Sequence, residues 1–219
     1  MNVSELFWRY SDTVAPLLVL LVILPRYRQV PGGGLLVLYL LASTLFAGYS
    51  NYLADQTINN MFLYHLFSLL EATCLLLLLN QYSKVDRRAL WLTLSFYALF
   101  WVVNIMLWEP LTLFNSNSAT VLNLITAFFC FRYFLTLVNT DEILRFQRLP
   151  SFWIVSGLLF YCIVAILALS SYKYKDWFSE SDLQISWRIQ LVAQLIKYIL
   201  ITIGVLCSKR QTLPFGSSS

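Results

Sequence analysis

The chain is 219 residues long, with 59% hydrophobic and 12% charged side chains and a mean hydropathy of +0.68. A soluble domain holds about 45–50% apolar and about 25% charged residues, so this composition excludes a soluble enzyme, a disordered tail and a disulfide-stapled secreted module, and it places the chain in a membrane. The net charge of +4 comes from short basic groups between apolar runs, with no basic face of interleaved aromatics, so it reports orientation and not nucleic-acid binding.

A membrane-crossing helix needs about 20 mainly apolar residues. Seven such stretches follow one another, at about 7–24, 34–54, 61–79, 89–108, 118–138, 152–171 and 187–207. The first begins with Trp8, Arg9 and Asp12 and contains Pro16. Met1 to Leu6 holds Glu5 and no basic residue, and Pro25-Arg26-Tyr27-Arg28 is no small-residue cleavage site. The stretch therefore reads as a retained helix and not as a signal peptide. Pro31-Gly32-Gly33-Gly34 opens the second span, Asp55 to Asn60 forms a polar turn, and Asn80 to Arg88 is polar and basic. The third span ends in an unbroken Leu75 to Leu79 run. Barrel strands alternate apolar and polar residues, whereas a continuous apolar run in lipid must satisfy its backbone internally as a helix. Glu109-Pro110 and Asn115-Ser116-Asn117-Ser118 separate the fourth and fifth spans, and Leu149-Pro150 opens the sixth. The longest loop, about Tyr172 to Ser186, carries Tyr172, Tyr174, Trp177 and Phe178 and suits an interfacial or lid-like segment. Residues 216–219 read as an appended remnant, leaving one domain over residues 1–215.

Orientation follows from Lys and Arg in the short loops. Arg26, Arg28, Lys84, Arg87, Arg88, Arg145, Arg148, Lys209 and Arg210 fall on one side, against Arg9, Lys173 and Lys175 on the other, with Arg188 at the lip of the last span. The expectation is an all-α integral membrane protein: a seven-transmembrane helix bundle, N-terminus outside and C-terminus cytoplasmic.

Cys74, Cys130, Cys162 and Cys207 all lie within or at the end of apolar runs, which suits packing. A single histidine, His65, and no thiolate cluster argue against a metal site. HExxH, GxSxG and paired carboxylates are missing, so no catalytic residue is named and an enzyme is not expected.

Ionisable groups inside a span are costly and mark functional sites. Here they are His65 and Glu71 in the third span, Arg132 in the fifth and Lys197 in the seventh, with neutral companions Asn51, Asn104, Asn123, Thr126, Gln190 and Gln194. Glu71 and Lys197 each lie about ten residues into their spans, roughly 15 Å deep. Gln190, Gln194 and Lys197 share one helical face, and His65, Ser68 and Glu71 form a slowly turning polar stripe. Asn51, Asn104 and Asn123 lie in the outer third of their spans. Together these residues outline an outward-facing polar cavity ending at Glu71 and Lys197, which could form an ion pair, with interhelical hydrogen-bond glue as the alternative. Arg132 is placed to snorkel to the cytoplasmic headgroups.

The third, sixth and seventh spans resemble a group of seven-span proteins of Bacteroidota-type bacteria. The resemblance lies in His65-Leu66-Phe67-Ser68 with Glu71, Pro150-Ser151-Phe152-Trp153, Gly157-Leu158-Leu159-Phe160-Tyr161, Lys197-Tyr198-Ile199-Leu200 and Ile203-Gly204. It implies the architecture, in a bacterial inner (plasma) membrane, and no activity. A Lys in the seventh span opposite a third-span carboxylate is also the arrangement of retinal proteins, but their third- and sixth-span motifs are missing, and no cofactor is named. The functional expectation is a receptor-like or sensory module that binds a small ligand and acts through a cytoplasmic or membrane signalling partner. A transporter or proton-linked channel subunit and a structural subunit are the alternatives.

Overall fold

The structure is a computed structural model that describes residues 3–139, 146–173 and 177–207, with side chains from residue 7 onward and excluding that of residue 173. Arg145, Lys175, Lys209, Arg210 and the tail 216–219 lie outside the described residues. Seven α-helices are present among the described residues: α1 (Val3–Ile23), α2 (Gly33–Asp55), α3 (Met61–Ser83), α4 (Arg87–Leu107), α5 (Ser116–Val138), α6 (Pro150–Lys173) and α7 (Glu180–Cys207). Six of them, α2 to α7, are long and apolar enough to cross a membrane. In α1 the uninterrupted apolar run starts only after Arg9 and Asp12. The chain is thus a multi-pass helical membrane protein.

Local chemistry explains the turns. Between α1 and α2 a 3-10 turn, Tyr27–Gln29, leads into Gly32 at φ +70, and a Cβ on Gly33 would overlap the Tyr27 carbonyl. This is a backbone only glycine fits without strain. The last loop is shorter than its sequence suggests, because α7 starts at Glu180 and not near 187. A capping box causes this: Asp182 N donates to Ser179 Oγ at 3.2 Å, and Ser179 N donates back to Asp182 Oδ2 at 3.2 Å. Glu180 and Asp182 in the first turn also favour a helix start.

Helices α1, α2, α3, α5, α6 and α7 close a ring, each packed on the next and α7 back on α1. Helix α4 lies outside, against α3 and α5. It buries one heptad-spaced stripe, Leu90, Tyr97 and Asn104, and exposes Trp91, Leu92, Phe96, Leu99 and Met106. An apolar surface of this kind is what lipid covers.

The two halves of the ring differ. The half holding the C-terminal end of α3 is a dry core of Ile23, Leu36, Leu40, Leu76, Leu79, Ile154, Leu158, Ile201 and Val205, all nearly inaccessible. Arg26, Arg28, Lys84, Arg87 and Arg88 belong to this end. The opposite half is polar and hollow.

Candidate functional site

Three tyrosines from three helices converge on one lysine. Lys197 of α7 is 2% exposed, and its Nζ donates a 2.8 Å hydrogen bond to the Tyr39 hydroxyl of α2. The same Nζ lies 4.1 Å from the ring centre of Tyr161 on α6, 4.6 Å from Tyr198 and 5.5 Å from Tyr39. The ring faces of Tyr161 and Tyr198 at these distances attract a cation, most strongly where water is excluded, whereas Tyr39 meets the ammonium nearly in its ring plane, through the hydroxyl. The Tyr39 hydroxyl in turn donates to Glu71 Oε1 of α3 at 3.3 Å. Glu71 and Lys197 therefore form no direct ion pair, correcting the pairing open at the sequence level. Tyr39, one turn and a half into α2, reaches into the ring between α3 and α7 and separates them.

Above this floor lies a cavity of about 160 Å³. Glu71, Lys197, Gln190, Gln194 and Asn123 all line it, as the depth argument expects. Its walls also include Asp12, Ser43, Ser50, Tyr64 and Ser68, and the rings of Phe46, Phe67, Phe114 and Trp187. The cavity shares Tyr64, Phe114, Trp187 and Leu191 with a wider vestibule of about 560 Å³, whose rim carries Trp8, Arg9, Gln184 and Arg188. Three of the shared residues, Tyr64, Phe114 and Trp187, form an aromatic cluster with Tyr172 of the vestibule. Phe114 lies 5.4 Å from Tyr172 and 6.3 Å from both Tyr64 and Trp187, and Tyr172 lies 5.9 Å from Trp187, between ring centres.

Three expected site residues lie elsewhere. His65 is fully buried, and its Nε2 is 3.1 Å from the Leu113 carbonyl, while its own carbonyl accepts from Trp101 Nε1 at 2.9 Å. It pins the α4–α5 loop to α3 and makes no hydrogen bond with Glu71. Asn104, also fully buried, donates to Glu109 Oε2 at 2.9 Å and Ser118 Oγ at 3.0 Å, and accepts from Asn117 Nδ2 at 3.1 Å. Glu109 additionally accepts from Ser116 Oγ and, at 3.0–3.1 Å, from the Asn117 backbone N–H. This network caps the N-terminus of α5 with a carboxylate. Asn51 donates to Thr13 Oγ1 at 3.0 Å and to Asp12 Oδ1 at 3.2 Å, joining α2 to α1. Thr126 is buried away from the cavity, and Arg132 is exposed, as snorkelling requires.

The sequence argument missed Tyr39, Tyr161, Tyr198 and Asp12. The tyrosines carry no charge to flag them, although Tyr161 and Tyr198 lie deep within their helices, a signal that their hydroxyls need interior partners. Asp12 read as a mark against the first span and not as part of the wall.

The fold and this interior define a helical membrane protein with a polar, aromatic-walled cavity that ends on a buried lysine. No family model, curated protein or solved structure matches the chain.

Proposed function

We propose that this chain is a receptor-like or sensory module of a bacterial inner membrane, crossing it seven times with the N-terminus outside and the C-terminus cytoplasmic. A small ligand from the outer side enters the cavity, and the resulting helix movement passes to a separate cytoplasmic or membrane signalling partner. The observation that carries this reading is the cavity's direction. It runs from Lys197 and Glu71 through the aromatic cluster to the vestibule at the end of the bundle away from the basic loops. Counting α1 as a span is supported by where its charges go. At 21 residues it is long enough for about 30 Å. Arg9 pairs with Asp55 and Asp12 meets Asn51, so both turn to protein and not to lipid.

A single cysteine tests the cavity and its orientation together. With Cys207, the half-buried cysteine at the end of α7, replaced by Ser, Gln194→Cys reacts with a membrane-impermeant thiol reagent in right-side-out vesicles, since the remaining Cys74, Cys130 and Cys162 are buried. Reaction only in inside-out vesicles rejects the orientation, and reaction in neither rejects an open cavity. Signalling further requires ligand to shift the helices between two arrangements. A bound ligand that leaves spin-label distances between α6 and α7 unchanged contradicts it.

A second reading, proton-linked transport, is favoured by one observation: Lys197, Tyr39 and Glu71 form an unbroken hydrogen-bonded chain across the bundle. A pH-gradient-driven flux in proteoliposomes, lost in Glu71→Gln, is its signature.

A further inference from the structure

We infer that the cavity's ligand is a small organic cation, a protonated amine of roughly ring size, with Asp12 as its counter-charge. The inference rests on the cavity being a ligand site at all, and it adds the ligand's chemistry.

The first support is charge. The wall holds two carboxylates, Asp12 and Glu71, and one ammonium, Lys197. Glu71 and Lys197 are satisfied against each other through Tyr39. Asp12 has no basic partner among the described residues. Both side-chain hydrogen bonds that reach it, from Asn51 Nδ2 at 3.2 Å and Thr13 Oγ1 at 3.3 Å, fall on Oδ1. The neighbouring guanidinium of Arg9 is turned to Asp55. The cavity wall is thus left with one carboxylate that no cation offsets, and a charge withdrawn from water needs a counter-charge. A monovalent cation supplies it.

The second support is hydrogen bonding. Two wall residues, Gln190 and Asn115, hold side-chain oxygens that are buried and receive no hydrogen bond. The Asn115 amide nitrogen is committed to the Tyr64 carbonyl at 3.3 Å, which fixes the oxygen as the free end. Both oxygens are closed off as they stand, so a small side-chain turn toward the cavity is what brings an unmet acceptor to a ligand's donor, and an ammonium group brings up to three N–H bonds.

The third support is the rest of the wall. Phe46, Tyr64, Phe67, Phe114 and Trp187 offer ring faces, which attract cations and accept an apolar ring equally well. A volume of about 160 Å³ is close to that of the ~150 Å³ apolar cavity known to admit benzene, so the site suits one ring with a short polar arm. Arg188 lines the vestibule and not the cavity, and it is exposed; the charge of an exposed group is screened within about 10 Å.

Three probes of one size separate the possibilities: benzylamine, benzyl alcohol and benzoate, titrated by Trp fluorescence at neutral pH into purified full-length protein. Benzylamine binds at least about tenfold more tightly than benzyl alcohol, and benzoate more weakly than either. Asp12→Asn removes the preference for the amine over the alcohol, and Asp12→Glu retains it. Thermal unfolding of both variants identifies a folding failure, and the wild-type ranking stands without them. Equal affinity for amine and alcohol, or a preference for benzoate, overturns the cation assignment and leaves a small-ligand cavity in place. Binding of none of the three counts against both readings.

Discussion

Lys197 and Glu71 meet through one phenol oxygen: the ammonium donates to the Tyr39 hydroxyl at 2.8 Å, and that hydroxyl donates to the carboxylate at 3.3 Å. Either charge alone at this depth would be expensive. Joined through Tyr39, each still faces the cavity, which a closed ion pair would not allow. The tyrosine decides whether the interior is a sealed pair or an open site.

Removing the Tyr39 hydroxyl strips a hydrogen bond from both charges. Tyr39→Phe keeps the ring and costs about 1–3 kcal/mol, the scale for unmet buried polar groups. Glu71→Gln and Lys197→Met are each more costly, about 3–5 kcal/mol, because each leaves an uncompensated charge. The double variant costs less than their sum. Thermal unfolding in detergent measures all four, and additive losses would show that the two charges do not sense each other.

The Glu109 network is a structural fastening with no cavity-facing atom. Its carboxylate gathers Asn104, Ser116 and the Asn117 backbone at the start of α5. Glu109→Ala orphans several buried donors at once and costs at least about 1.5–3 kcal/mol, the value of hydrogen bonds to a charged group. Ligand binding by the surviving folded fraction stays unchanged. Arg9→Ala gives the contrast. Its pair with Asp55 has both side chains more than one-third exposed, so the loss is below about 1 kcal/mol and shrinks further with salt. Unfolding midpoints at low and high salt distinguish the two cases.

Six of the seven expected spans, α2 to α7, were legible because lipid imposes a simple rule, about 20 apolar residues without backbone breaks. Depth was legible too: counting residues along each span placed Glu71, Lys197, Gln190, Gln194 and Asn123 at levels where one cavity collects them. Rotation and neighbourhood were not. His65 is only six residues from Glu71, yet its ring reaches the Leu113 carbonyl, because its azimuth turns it to the α4–α5 loop. Asn104 sits on a helix outside the ring, a position that no hydropathy pattern encodes when α4 is as apolar as its neighbours. Tyr39 carried no charge to flag it, and its role exists only once α2, α3 and α7 are side by side. The early start of α7 was readable, since Ser179-Glu180-Ser181-Asp182 is a capping-box sequence.

The α6–α7 crossing depends on two glycines. A Cβ on Gly204 would lie 2.8 Å from the Pro150 carbonyl and 3.0 Å from Ile154 Cγ1. One on Gly157 would lie 3.0 Å from the Lys197 carbonyl. Small residues let membrane helices approach to this distance. Gly204→Ala is therefore an overpacking change costing about 1–3 kcal/mol. Gly157→Ala presses on the backbone that carries Lys197, so it weakens ligand binding more than its stability loss implies. Paired melting and titration data separate the two, and equal behaviour of both variants would reject the local role of Gly157.

The aromatic cluster of Tyr64, Phe114, Tyr172 and Trp187 stands where cavity and vestibule meet, all but Tyr172 lining both. Phe114 is its hub, touching the other three at 5.4–6.3 Å. It comes from the α4–α5 loop and not from a helix, so it can be truncated without opening a helix–helix interface. Phe114→Ala removes the central ring and costs some packing energy, about 0.5–1.5 kcal/mol for each aromatic pair lost. If the cluster controls passage, the rate of thiol labelling at Gln194→Cys rises about tenfold or more, because the barrier falls while the cysteine's own surroundings stay the same. Ligand association and dissociation should accelerate together, leaving the equilibrium constant nearly fixed. Stopped-flow Trp fluorescence reads both rates through Trp187. A large loss of affinity with unchanged rates of access would instead make Phe114 a wall of the binding site and not its gate.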